Sequence, residues 1–182
     1  MGAYYYFPLK MHVGAPDVPT VKEGQLVKRG ECIAEPNGLG AKIHSSISGT
    51  VSKITANEIV IQADEAQSED YVKIKQCESI VDSVYEAGIV GAGGAGFPTH
   101  IKLKAQISDG YIVANCVECE PVLHHNIKRI EENPELVVKG IKYAMQTTGA
   151  KKAYIAIKAK HPEAIASLEK YLNGDSSIEI KK

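Results

Sequence analysis

Tryptophan is absent from this chain of 182 residues, and phenylalanine occurs only twice, although nine tyrosines supply some aromatic bulk. So little large apolar material favours two modest cores over one large one, and the length suits one large or two small domains. No apolar run approaches the roughly 20 residues needed to span a bilayer; the longest covers residues 89–98. The amino terminus has no basic region followed by an apolar stretch, so no signal peptide is expected. Tyr6 stands where myristoylation would need Ser or Thr. Excess charge is missing too: 21 Lys and Arg oppose 22 Asp and Glu, for a net charge of -1. That balance provides no footprint for nucleic acid or an anionic membrane surface, so neither nucleic-acid binding nor direct membrane insertion is expected. The four cysteines, Cys32, Cys77, Cys116 and Cys119, are too few for a disulfide framework. In the expected cytoplasmic setting they read as thiols or ligands.

What is present falls into two patterns separated by a polar, acidic stretch, residues 64–78, which reads as a linker. Residues 1–63 carry short β segments with a turn signal every six to ten residues, among them Leu26-Val27, Cys32 to Glu35, the alternating Thr50 to Ile54, and Ile59 to Ile61. That rhythm predicts a small β sandwich or barrel. Residues 79–182 alternate helix and strand: helices near 80–87, 123–132, 135–147 and 162–172, a short one from Thr99, and strands at 111–114, 153–157 and 178–180. This is the pattern of a parallel α/β layer, and the last strand leaves the sheet unfinished.

The chemistry concentrates in residues 88–121. Gly91, Gly93, Gly94 and Gly96 lack Cβ atoms where a backbone needs positive φ or close approach to a ligand. Their amides can hold an anion beside the start of a helix at Thr99, and Lys102 can add a point charge; close packing is the alternative use of such glycines. A helix rather than a strand precedes the loop, so it is not the dinucleotide fingerprint. Asn115, Cys116, Glu118, Cys119 and Glu120 follow the strand at 111–114, where ligands sit in open α/β sheets. Glu118 and Glu120 can accept hydrogen bonds from ribose or flavin groups, or can be surface acids. Cys116-x-x-Cys119 with His124 and His125 is a thin zinc candidate, and the neighbouring acids would raise the thiol pKa values rather than activate them. Cys32 and Cys77 read as core fillers. His100 and His161 sit at helix starts, and His44 reads as a polar loop contact.

The spacing from Val21 to Ala34 and from Ser46 to Val51 is similar to the lipoyl/biotinyl-type barrel-sandwich hybrid, in which a lysine at a hairpin tip carries a cofactor. Lys42 lies beyond the central loop and is the only lysine to weigh for that role; a solvated scaffold lysine is the favoured reading. The pairing of the segment from Gly91 to Lys102 with Asn115-x-x-Glu-x-Glu-Pro121 resembles the signature of the flavin-carrying, NADH-oxidising subunit of respiratory complex I. It resembles still more its relatives, the C subunit of Rnf-type electron-transport complexes and the electron-transfer protein that accompanies proline reductase. His-x-Gly-Ala-Pro at residues 12–16 and the segment at 43–51 are typical of those relatives.

The resemblance implies a fold in which a small barrel-sandwich hybrid precedes an incomplete Rossmann-like α/β domain. It also implies flavin mononucleotide (FMN) and NADH as cofactors. Gly91, Gly93, Gly94 and Lys102 would face the FMN phosphate and ribityl groups, Asn115 and Glu118 the ribityl chain or ring, and Phe97 and Glu120 the nicotinamide nucleotide. Iron-sulfur clusters are expected only in a further segment. The partners implied are redox proteins of an Rnf-type membrane complex or a proline reductase, with peripheral attachment through them. Val117, His100 and Ala92 depart from the complex I pattern, which has Asp, Gly and Arg there. The chain is expected to be a piece of a longer protein or a reduced homologue, inactive alone. Two other classes remain open: a docking or scaffold module, and a zinc-binding structural protein using Cys116 and Cys119.

Overall fold

The structure is a computed structural model that describes residues 2–92, 94–119 and 122–182. It divides into two compact units, one up to Lys102 and one from Leu103.

The first unit begins with β1 (Tyr4–Pro8), β2 (Val18–Pro19), β3 (Leu26–Val27), β4 (Cys32–Glu35), β5 (Ile43–His44), β6 (Gly49–Ile54) and β7 (Glu58–Ala63). Two antiparallel sheets result, ordered β1-β7-β6-β3 and β2-β4-β5, as the expected barrel-sandwich requires. Period-two alternation points Val51 inward and Ser52 outward on β6. The core gathers Phe7, Ile33, Ile43, Val51, Ile59 and Ile61 among others. The turn into β7 is closed by Thr55, whose Oγ1 accepts from the amides of Asn57 at 3.2 Å and Glu58 at 3.1 Å.

Residues 64–78, expected as a linker, contain no regular element. They are nonetheless pinned to the barrel: Gln67 exchanges two hydrogen bonds with the Ser48 backbone, at 2.8 and 2.9 Å, and the Val72 amide donates to Arg29 O at 2.8 Å. The boundary between compact units falls after Lys102, so the following elements, α1 (Ile80–Glu86) and α2 (Thr99–Lys102), group with the barrel. Ser79 caps α1 by accepting from the Asp82 amide, and Gly88 takes the positive φ of 64° that ends it.

The second unit is the parallel α/β layer. β8 (Tyr111–Asn115), α3 (His125–Glu132), α4 (Pro134–Thr148), β9 (Lys152–Ala156), α5 (Pro162–Leu172) and β10 (Ile178–Lys181) build a sheet ordered β10-β9-β8 with both pairings parallel. Pro134 and Pro162 open α4 and α5 at a position where their missing N–H costs nothing. Gly149 and Asn173 close them in the left-handed conformation. Ala153, Ile155, Ile165, Leu168 and Ile178 form the centre of a second core. Among the described residues no helix is long and apolar enough to cross a membrane.

Candidate functional site

The glycine loop belongs to the first unit, and its base is pinched. Val90 and Pro98 form an antiparallel bridge, the Gly91 amide donates to Phe97 O at 2.9 Å, and the Thr99 amide donates to Ile89 O at 3.0 Å. Gly91 therefore spends its N–H on closing the loop and has none to offer a phosphate. Among the described residues, the amides of Ala92, Gly94 and Ala95 donate to no protein acceptor. Lys102 reaches back over this loop. Its Nζ lies 3.6 Å from where a Gly91 Cβ would stand and 5.6 Å from the centroid of the Phe97 ring. Because α2 is a single turn, the positive charge available here comes from Lys102 rather than from a helix end. Gly91, Gly94 and Phe97 thus share one loop, over which Lys102 of α2 reaches, whereas Gly93 lies outside the described residues.

The loop's glycines serve different purposes. A Cβ on Gly96, at φ 65°, would come within 3.1 Å of His12 Cα and Met11 O, so packing and conformation both demand glycine there. A Cβ on Gly94 would meet nothing within 4 Å. No packing among the described residues explains that glycine, whereas an external group approaching the backbone would.

In the second unit, the Asn115 segment sits at the carboxyl end of the parallel strands. Asn115 Oδ1 accepts from the Val117 amide at 3.1 Å, fixing a turn after β8. Lys158 Nζ donates to Glu118 O at 2.7 Å and holds the loop to the end of β9. Glu118 is buried. Its Oε2 accepts from the Asn126 amide at 3.3 Å in the first turn of α3 and lies 3.9 Å from His125 Nδ1. Its carboxylate serves the helix end, which favours negative charge. Glu120 and Pro121 lie outside the described residues.

The cysteine readings change. Burial, not the neighbouring acids, pushes the Cys116 thiol up. Cys116 packs at the edge of the second core, and Cys119 is exposed. Cys32 and Cys77 are half-buried, so neither fills a core as expected. Among the described residues no group of three or more His, Cys, Asp or Glu side chains is placed to hold a metal ion, so the zinc alternative draws no geometric support.

Lys42 is neither a cofactor arm nor a solvated lysine. Its Nζ lies 2.9 Å from Glu35 Oε1 and 3.0 Å from Glu86 Oε2, and 5.2 Å from the Tyr85 ring centroid, with only 12% of the side chain exposed. Burial pulls its pKa down, but hydrogen bonds and charge from the two glutamates outweigh that and hold it well above the usual lysine value. An ammonium tied to two carboxylates is poorly placed to be the nucleophile for an amide-linked cofactor. His44 lies beside Gly88 and is depressed by burial and then by the Lys42 charge.

One polar pair escaped the sequence reading altogether. His12 Nε2 and Asp17 Oδ1 are 3.1 Å apart, with side chains 2% and 0% exposed. The only signal was the short motif around His12, which marks a resemblance but not a burial.

Residues 84–182 match the family described as the Nuo51 FMN-binding domain, and residues 1–77 match the RnfC barrel sandwich hybrid domain. The chain is similar to the C subunit of the Na(+)-translocating ferredoxin:NAD(+) oxidoreductase complex of Acetobacterium woodii. The identity there is 33% over 192 aligned positions, covering 95% of this chain and 43% of that protein. The C subunit of the proton-translocating ferredoxin:NAD(+) oxidoreductase complex of Clostridium ljungdahlii is 32% identical, covering 93% of this chain and 41% of that one. Its counterpart in the ion-translocating oxidoreductase complex of Haemophilus influenzae is 30% identical over all of this chain, which spans 24% of it. The chain therefore spans less than half the length of each of these relatives.

Proposed function

The chain belongs to the Nuo51 FMN-binding domain family, preceded by an RnfC barrel sandwich hybrid domain, and on that premise we propose that it holds FMN in an NADH-linked electron-transfer subunit. The observation that carries the reading is Gly94. It lacks a side chain where no described atom lies within 4 Å of the missing Cβ, in a loop whose described amides include ones with no acceptor among the described residues, and Lys102 Nζ reaches the same loop at Gly91. This donor set fits a phosphate: amides with no acceptor among the described residues, a lysine ammonium and a backbone open to close approach.

FMN, when bound, supplies the exchange between two-electron transfer from a nicotinamide nucleotide and one-electron transfer onward. The chain's own residues bind and orient. Lys102 and the loop amides from Ala92 to Ala95 neutralise the phosphate, Gly91 and Gly94 keep the approach clear, and Gly93 is assigned with them. By the resemblance, Asn115 is assigned to the ribityl chain. Glu118 acts through the α3 terminus and the shape of its loop rather than by touching the ring. Phe97 and Glu120 face the nicotinamide nucleotide. Iron-sulfur clusters and the partner subunits of an ion-translocating complex would be the onward electron acceptors. The relatives named above are of that kind, so an Rnf-type complex is proposed as the partner in preference to a proline reductase.

Titration of the protein with FMN, followed by flavin fluorescence, tests the reading. We expect saturable quenching, weakened about tenfold by Lys102→Met, equivalent to about 1.4 kcal/mol. Absence of quenching up to about millimolar protein, the weak end of specific binding, would sink it.

A further inference from the structure

We propose that Lys42 is a positioning residue for the phosphate loop, an ionic tie through which the barrel fixes both ends of the segment that carries the loop amides and Lys102. The inference rests on the FMN reading above, which gives the barrel no part and Lys42 no contact with the ligand.

The segment from α1 to α2 has little of its own to hold it in place. α1 has seven residues, none of them buried, and so short a helix is marginal without tertiary support. α2 is a single turn whose one buried residue is His100. Pro98 is buried at the pinched base of the loop, but no described residue from 80 to 102 belongs to the apolar core of the barrel. Something other than that core sets where the two helices stand.

Lys42, which stands just before β5, meets this segment on both sides of the loop. On the entry side its Nζ lies 3.0 Å from Oε2 of Glu86, the last residue of α1, and 2.9 Å from Oε1 of Glu35, the last residue of β4. Its backbone closes on the turn that follows: a Cβ on Gly88 would stand 2.2 Å from Lys42 O and 3.3 Å from His44 Nδ1. On the exit side the contact runs through rings. Lys42 Nζ lies 5.2 Å from the Tyr85 centroid, and Tyr85 meets His100 of α2 edge to face at 4.9 Å. His100 shares its single turn with Lys102. Between the two sides the bridge from Val90 to Pro98 closes the loop, so a change at Lys42 reaches both ends of it.

The chemistry of the tie suits orientation better than stability. With 12% of its side chain exposed, the Lys42 ammonium is largely shielded, and desolvation offsets much of the attraction in such a pair. Its two carboxylates come from different elements, one in the barrel and one on α1. An amine that satisfies both fixes one element against the other, which an apolar side chain has no directional bond to do.

The test is FMN affinity, followed by flavin fluorescence, in Lys42→Met, Glu86→Ala and the double variant. Glu86→Ala leaves Lys42 paired with Glu35 and gives α1 the best helix former, so neither an orphaned charge nor a weakened helix accompanies the cut. Lys42→Met should weaken FMN binding about tenfold and Glu86→Ala at least about threefold. The double variant should bind no worse than Lys42→Met, because both changes cut one tie. An effect of charge alone has opposite signs: loss of the Lys42 cation weakens the binding of an anion, and loss of the Glu86 carboxylate tightens it. Tighter or unchanged binding in Glu86→Ala therefore overturns the positioning role, as does simple additivity in the double variant, and Glu86→Ala decides alone if Lys42→Met does not fold. A second arm needs no flavin. In Glu86→Ala the amide resonances of Gly94 and Phe97 should shift while those of β6 and β7 stay in place. If they shift so but FMN does not bind the native protein, the positioning role stands and the ligand is wrong. If the loop resonances stay, or the barrel resonances move with them, the positioning role falls whatever FMN does.

Discussion

Gly88 and Gly96 take φ values of 64° and 65° and have neighbouring backbone atoms where a Cβ would stand, whereas a Cβ would meet only ordinary contacts at Gly91 and no described atom within 4 Å at Gly94. One residue type therefore does two jobs within a single loop, and substitution separates them. Gly96→Ala forces a left-handed alanine, at about 1–2 kcal/mol, against His12, so chemical denaturation should show a loss of about 2 kcal/mol. Gly94→Ala enters open space, so stability should stay within about 0.5 kcal/mol while FMN affinity drops about tenfold, or 1.4 kcal/mol. Unchanged FMN affinity in Gly94→Ala would return that glycine to the incidental class. The sequence could name these glycines but could not sort them, because φ and the atoms opposite a missing Cβ exist only in the fold. Lys42 shows the same limit. Its spacing suggested a carrier arm or a solvated side chain, and only the approach of Glu86 on α1 shows it to be a buried tie.

At the scale of elements, legibility followed locality. α4 and α5 announce themselves through Pro134, Pro162, Gly149 and the 3.6-residue pattern, all of which act within a few residues. β1 went unread because no turn signal frames it: its partner is β7, and three consecutive tyrosines, all exposed, hide the single inward Phe7. The role of Glu118 at the start of α3 was hidden similarly, since a carboxylate eight residues before the amide it meets has no motif to mark it. The turn between α5 and β10 carries an element-level prediction. Asp175 Oδ2 lies 2.7 Å from Lys142 Nζ on α4, and its Oδ1 accepts from the Ser177 amide and hydroxyl at 3.0 and 2.6 Å. The Lys142 and Ser177 hydrogen bonds hold its carboxyl down at about 2, from the ordinary 3.8. A lowered carboxyl stabilises the fold above the ordinary value and ceases to do so as pH falls toward the folded one. Urea midpoints at pH 4 and pH 2 should therefore lie closer together in Asp175→Asn than in the native protein. An NMR titration midpoint for Asp175 near the ordinary carboxylate value would contradict the pinned turn.

At the scale of the whole molecule, a chain without tryptophan builds two separate cores from branched aliphatics, as its composition suggested. Ile33, Ile59 and Ile61 are fully buried in the first, and Ile155, Ile157 and Leu168 in the second, and no residue belongs to both. Each unit thus has its own source of hydrophobic stabilisation, and damage to one core is expected to be read out in that unit. Leu168→Ala removes a fully buried side chain from α5 and should cost about 2–5 kcal/mol, the range for emptying a packed leucine site. Native-state hydrogen exchange locates that cost. Amides of β8, β9, β10 and α3 to α5 should lose protection, while those of β6 and β7 in the barrel keep theirs. Equal loss in the barrel strands would mean that the two cores unfold as one cooperative body. The Lys102 loop, grouped with the barrel, would then owe its rigidity to a core in which none of its residues takes part.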